Sequence, residues 1–144
     1  PRLAKPSLIL MGLWGIGQTA LIYLASLQDV PESLYESAEL DGANAFQKVI
    51  HVTIPMISPV ILFNVIMGLI GTFQYFTQAY IMTGGGPADA TLFYALYLYN
   101  SAFRFFKMGY ASAMAWLMFL VIFGLTVLTF SLSSRWVYYG GQIR

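Results

Sequence analysis

Three long apolar runs separated by two stretches of different character set the plan of this chain. The runs cover about residues 7–27, 59–82 and 108–133, and none contains a charged side chain. Each is long enough to cross a hydrocarbon layer of about 30 Å as a helix of roughly 20 residues. A charge at the centre of such a helix is costly. The pattern predicts an all-α, polytopic membrane protein with three transmembrane helices. Three helices are few for enclosing a pathway, so partner helices from sequence outside this chain, or from another subunit, are expected.

The first intervening stretch, residues 29–56, is polar and acidic. Five of the six acids of the chain, Asp29, Glu32, Glu36, Glu39 and Asp41, lie in it. Asp29 is positioned to cap a helix with Glu32 at its third position and Pro31 in its first turn, where a missing N–H costs little. Gly42 is placed to stop that helix in a left-handed turn. Asn44, with Gln47 three residues on, reads as the start of a second helix, which Pro55 ends before Pro59 opens the next span. A chain re-entering a membrane needs only a few loop residues, so two helices split by a glycine suggest a surface that meets a partner. An amphipathic hairpin lying on lipid is the alternative, but the acidic bias disfavours an anionic membrane surface.

The second stretch, residues 83–107, contains Thr83-Gly84-Gly85-Gly86-Pro87 and the aromatic segment from Leu92 to Phe106. The glycine run lacks the Lys-Ser/Thr of a phosphate-binding loop and reads as a flexible turn. The aromatic segment, interrupted by Asn100 and Arg104, fits an interfacial helix with Tyr and Phe at headgroup level, or a docking surface for an external protein. In the third span Ala111 and Ala115 form a small-xxx-small pair, with Gly109, Ser112 and Gly124 as further close-packing sites. Arg135, Trp136, Tyr138 and Tyr139 read as an interface anchor after it.

Composition agrees with the membrane reading: the apolar fraction is 58%, the charged fraction 9% and the mean hydropathy +0.69. A soluble domain carries about a quarter charged residues. The net charge of +1 gives no reason to propose nucleic acid as a partner. The absence of cysteine excludes disulfides, thiolate catalysis and Cys-based metal sites within this chain. No metal-ligand spacing is present, and the single histidine, His51, has no catalytic motif around it. Intramembrane hydrolysis needs a nucleophile and base at membrane depth, so an enzyme is disfavoured. The start at Pro1-Arg2-Leu3 suggests the C-terminal part of a longer polypeptide. Charge leaves orientation undecided: Arg2, Lys5, Arg104 and Lys107 fall on one side, Lys48, Arg135 and Arg144 on the other.

Glu36-Ser37-Ala38, Asp41-Gly42-Ala43 and Val52-Thr53-Ile54-Pro55 together resemble the EAA motif of bacterial ABC-importer permeases. That motif is Glu-Ala-Ala, three residues, Gly, nine residues, Ile, one residue, Leu-Pro. The glycine and proline spacings match, with Ser37, Val52 and Ile54 as mild departures. Thr83 to Pro87, and Phe103 through Gly109-Tyr110-Ala111-Ser112-Ala113, are similar to the carbohydrate-uptake branch, which serves maltose-type oligosaccharides, other sugars and glycerol phosphate. The resemblance implies a multi-pass protein of the bacterial cytoplasmic membrane with the acidic island cytoplasmic. Glu36, Ala38, Asp41, Gly42, Ala43 and Pro55 would then form the coupling element for an ATPase subunit. Glu36 would make the charge-assisted contact, while Ala38 and Ala43 would allow close packing. Other implied partners are a second permease subunit, an external substrate-binding protein and membrane lipid. ATP and Mg would belong to the ATPase, with no cofactor in this chain.

Met11, Trp14, Gly15 and Gln18 in the first span, and Gly68, Gly71, Thr72 and Tyr75 in the second, fall at i, i+3, i+4 and i+7 and so share a helical face. Each face combines small residues with aromatic or hydrogen-bonding ones, the mixture that sugars need. The resemblance implies that such faces line the pathway. Helix packing through small residues and interhelical Gln or Thr bonds is the alternative. Asn64, Gln74 and Gln78 lie on other faces, suited to the partner subunit. Import of a different small solute, or a membrane scaffold without transport, remains the competing reading.

Overall fold

The structure, a computed structural model, describes residues 3–138; Arg2, Tyr139 and Arg144, included in the charge and anchor readings, lie outside the described residues. In chain order the elements are α1 (Ala4–Gln28), α2 (Glu32–Leu40), α3 (Ala45–Phe73), α4 (Tyr94–Tyr99) and α5 (Met108–Ser133). No strand occurs among the described residues. By length and composition α1, α3 and α5 can each cross a membrane. Their large apolar side chains, such as Phe63, Met67, Leu120 and Phe130, are exposed on this chain. Such wide apolar faces require lipid or other helices against them.

α5 coincides with the third apolar run, and α1 extends the first by about three residues at its start and one at its end. The second span differs. It begins within the polar island and ends at Phe73, rather than running from Pro59 to Met82. Neither Pro55 nor Pro59 ends or opens a helix, because a single helix runs through both. A proline at Pro59 frees the carbonyl of Pro55 from its helical partner. The Ser58 hydroxyl donates to that carbonyl at 2.6 Å, so the backbone acceptor is satisfied without a break. A π turn at Val49–Thr53 precedes Pro55, with the Ile54 N–H donating to the Val49 carbonyl.

The chain divides into two compact units. One contains described residues 16–66 and 129–138. Its most buried polar group is Ser58, 1% exposed. Besides donating to Pro55, Ser58 Oγ accepts the N–H of Tyr138 at 2.8 Å, fixing the segment after α5 to the middle of α3. Leu62 and Val30 are its buried apolar side chains.

The other unit contains described residues 3–15 and 67–128. After Phe73 the chain leaves the helix and makes a short π turn at Ala79–Thr83. α4 then continues into a third π turn, Asn100–Arg104. Rings hold this region: Tyr75 meets Phe93 edge-on with centroids 5.2 Å apart, and Phe76 stacks on Tyr80 at 5.3 Å. Tyr99 lies against Phe76, Tyr80 and Phe103 at 5.0, 5.2 and 5.1 Å. Ring packing of this kind offsets the loss of helix at residues 74–76, which hydropathy alone does not register. The Tyr94 hydroxyl donates to the Met114 carbonyl at 2.9 Å, attaching α4 to α5.

The glycine segment is a hydrogen-bonded turn. Thr91, fully buried, donates through its hydroxyl to the Gly86 carbonyl and through its N–H to the Gly85 carbonyl. The Thr83 and Thr91 hydroxyls meet at 2.6 Å. Gly85, at φ +95°, permits the bend, and a Cβ there would press on Leu92. In α5, Ala111 is buried within this chain, whereas Ala115, Gly109, Ser112 and Gly124 are exposed on it.

Candidate functional site

The polar island folds as a helical hairpin between α1 and α3. α2 has nine residues, too few to be stable alone in water, so its ends and one face decide its fate. Pro31, in extended conformation, is the N-cap and makes no side-chain bond, so Asp29 is not the cap and Glu32 occupies the first helical position. The reason is the proline's effect on its neighbour: a cap on Asp29 would make Val30 the first helical residue, and a residue before proline is disfavoured in the α region; Pro31 itself has a helical φ of -61° but an extended ψ of 132°. Glu32 still lies favourably at the positive end of the helix dipole.

The other end folds as its residues predict. Gly42 has φ +77°. Its N–H donates to the Glu39 carbonyl at 2.9 Å, and the Ala43 N–H reaches back to the Ala38 carbonyl at 2.9 Å. These two bonds form a Schellman closure, which needs the left-handed residue that glycine supplies most cheaply. Asn44 then caps the start of α3 by accepting from the Gln47 N–H at 2.9 Å, while Gln47 Oε1 accepts the Asn44 N–H at 2.8 Å. The capping box is reciprocal.

Two side-chain contacts cross the hairpin. Lys48 Nζ donates to Glu39 Oε1 at 2.6 Å, the only ion pair among the described residues. The hydrogen bond from Lys48, and then its charge, hold the Glu39 carboxyl below the usual carboxylate range. The contact is exposed at Glu39, so solvent weakens it. Deeper in the hairpin the hydroxyls of Tyr35 and Thr53 meet at 2.9 Å. His51 Nδ1 lies 3.0 Å from the Gln47 carbonyl, within the helix, as an ordinary surface histidine.

Of the residues singled out in the sequence, Ala38, Asp41, Gly42 and Ala43 come together around one recess of about 410 Å³, with Lys48 and His51 on its wall. Glu36 is exposed on α2, and Pro55 lies further along, half-buried inside α3. Sequence reasoning missed Leu40 and Phe46, which flank the turn 90% and 72% exposed. They are the most exposed of the hairpin's large apolar side chains, ahead of Val49, Ile50 and Leu34. An apolar residue on each side of a predicted glycine turn was the available signal. Tyr35 and Thr53 are eighteen residues apart, and nothing local pairs them.

The two candidate pathway faces are less regular than their spacing predicts. Leu13–Gly15 forms a 3-10 turn inside α1. At 3.0 rather than 3.6 residues per turn, this stretch departs from the α-helical spacing on which the shared face was argued. Gly12, Gly15 and Gly17 surround this tighter turn and offer no Cβ to oppose it. Trp14 is 95% exposed on this chain. On α3, Thr72 Oγ1 donates to the Gly68 carbonyl at 2.7 Å, so its hydroxyl proton is already used. Gly68 and Gly71 are exposed beside it. Tyr75 does not continue their face: the helix stops at Phe73 and Tyr75 packs on Phe93 instead. Asn64 donates to the Val60 carbonyl of its own helix at 2.9 Å. Gln74 and Gln78 lie beyond the end of α3 rather than on another of its faces.

Residues 3–139 match the family model described as binding-protein-dependent transport system inner membrane component. A Bacillus subtilis (strain 168) protein named "Probable ABC transporter permease protein YesP" is 46% identical over 141 residues, 96% of this chain and 46% of that protein. The lactose transport system permease protein LacF of Rhizobium radiobacter is 40% identical over 134 residues, 90% of this chain and 45% of the relative. The sulfoquinovosyl glycerol transport system permease protein SmoG of Agrobacterium fabrum is 38% identical over 120 residues, 83% of this chain and 39% of its own length. The chain thus spans a little under half the length of these relatives.

Proposed function

The chain belongs to the family of binding-protein-dependent transport system inner membrane components, an integral membrane family, and from that premise we propose that it forms part of the permease of an ATP-driven carbohydrate importer. The observation that carries the reading is the hairpin at Gly42: a rigid, capped, acidic turn with two exposed apolar side chains, inserted between two apolar spans. Such a turn is built to be gripped rather than to cross back through lipid. Its partner is an ATPase subunit at the cytoplasmic face of the cell membrane, with Glu36, Asp41 and Gly42 toward the cleft that holds it. ATP and Mg bind in that subunit, and closure of the ATPases moves the hairpin and the spans attached to it.

The same reading gives the other components their places. A second permease subunit covers apolar faces of the spans, and an external binding protein delivers the solute. Relatives named for lactose, sulfoquinovosyl glycerol and arabinooligosaccharide transport favour a carbohydrate. Met11, Trp14, Gly15 and Gln18, with Gly68, Gly71, Thr72 and Tyr75, remain the candidates for contact with it; Thr72 acts as a hydrogen-bond acceptor, its proton being engaged. Gly42→Asp tests the reading, because it strains the left-handed turn and adds an anion at its tip. In the full-length assembly it should abolish uptake across a panel of labelled di- and oligosaccharides while the permease remains in the membrane. Normal uptake by that variant contradicts the reading.

A further inference from the structure

We propose that the Tyr35 and Thr53 hydroxyls form a clasp that makes the hairpin and the second span one lever, so that motion at Gly42 passes into α3. The clasp rests on the coupling role proposed for the hairpin and deepens it by naming the residues that transmit the motion. The first four residues of α3, Ala45–Lys48, make a single helical turn capped by Asn44. Between that turn and the rest of the span lies the π turn Val49–Thr53. A π turn widens the helix, and its bonds reach one residue further than those of an α-helix. Left to itself, this is where the helix bends most readily. A bend there would let the tip move while the span stayed still.

The clasp sits on that weak point. Thr53, the last residue of the π turn, turns its hydroxyl toward the Lys48 carbonyl at 3.5 Å and meets the Tyr35 hydroxyl at 2.9 Å. Tyr35 comes from α2, on the opposite arm of the hairpin. Tyr35 and Thr53 are both half-buried, whereas most of α2 is exposed. The Glu39–Lys48 ion pair joins the same two arms nearer the tip. Two cross-links at different heights convert a hinged pair of helices into a triangulated body. The exposed ion pair is the weaker of them, which leaves the hydroxyl pair to resist bending at the π turn.

The test reads the lever directly. With the other cysteines of the full-length complex replaced, Ala45→Cys and Phe63→Cys place one spin label before and one after the π turn. Both positions are exposed, and eighteen residues of helix set them about 27 Å apart. Distances are measured by double electron–electron resonance in the assembled full-length complex, without nucleotide and with ATP plus vanadate. With the native clasp the distance should be single, narrow and the same in both states, because the lever moves whole. Tyr35→Phe and Thr53→Val each remove one hydroxyl and keep the bulk. In either, ATP plus vanadate should shift or split the distance. Thr53→Ser should restore the native result, and the double variant should behave like either single one. Nucleotide-independent distances in the single variants overturn the clasp, since a merely stabilising bond would not make the distance respond to nucleotide. Lack of ATP hydrolysis by the native assembly strikes instead at the functional reading, and the clasp as a transmitter falls with it.

Discussion

The hairpin of residues 29–53 and the aromatic segment of residues 74–107 both interrupt the apolar spans, yet they are held by opposite means. The hairpin is fixed by backbone caps, at Gly42 and Asn44, and by polar side chains that stay partly wet. The aromatic segment is fixed by rings, with Tyr99 touching three others, and by buried threonine hydroxyls. Caps define a shape without consuming the surface, so the hairpin keeps its acids, and Leu40 and Phe46 beside the turn, available. Ring clusters cover part of the surface they use, yet Phe103, Phe105 and Phe106 still stand 58%, 55% and 80% exposed on this chain. The difference teaches what holds each shape: backbone closures and polar pairs in one region, rings and threonine hydroxyls in the other.

Removing a bond that the hairpin's unit cannot replace should have a large effect. Ser58→Ala leaves the Pro55 carbonyl and the Tyr138 N–H without their partner, at a cost of about 2 kcal/mol. Thermal unfolding of the purified protein should occur roughly 4–8 °C lower; an unchanged midpoint would show that Ser58 is dispensable. Tyr99→Ala is the corresponding break in the other region. It removes three ring contacts worth about 0.5–1.5 kcal/mol each, and limited proteolysis should then cut residues 74–107 faster. Binding of the ATPase should be unaffected, and its loss would erase the division of labour between the two regions.

Smaller effects sharpen the picture of the hairpin. Asn44→Ala removes the cap of α3 and should cost about 1 kcal/mol, read as faster amide exchange at residues 45–48 and not in α5. The smallest effect is on pH. Glu39 is held below its ordinary range by Lys48, so its contribution is present at neutral pH and disappears as pH falls through the lowered pKa. Amide protection at the turn, taken relative to the intrinsic exchange rate at each pH, should fall on acidification in the native protein and respond less in Glu39→Gln. An identical acid response in both would remove the ion pair from the forces that hold the turn.

Those same cap and ring contacts explain what was legible in the sequence. Gly42, Asn44 and Gln47 act within a few residues of one another, so their pattern specifies their geometry, and the turn forms as predicted. The full length of α5 was equally plain, because an uninterrupted apolar run has no competing structure. The limits of α3 were not. Pro55 and Pro59 read as breaks, but Ser58 satisfies the freed carbonyl, and no propensity includes that hydroxyl. The stop at Phe73 depends on rings supplied by Phe93 and Tyr99, about twenty residues later. Tyr75 was therefore assigned to a helical face that ends before reaching it. The Tyr35–Thr53 bond joins two arms whose approach becomes possible only once the glycine turn is in place.

The central claim is that the hairpin faces the cytoplasm and is gripped there. Leu40→Cys, at a position 90% exposed, places a single reactive thiol of this chain beside the turn for a membrane-impermeant maleimide. In sealed vesicles containing the full-length assembly, the account predicts labelling from the cytoplasmic side after the ATPase is stripped, and protection once it is restored. Labelling from the external side, or equal labelling with and without the ATPase, would contradict it.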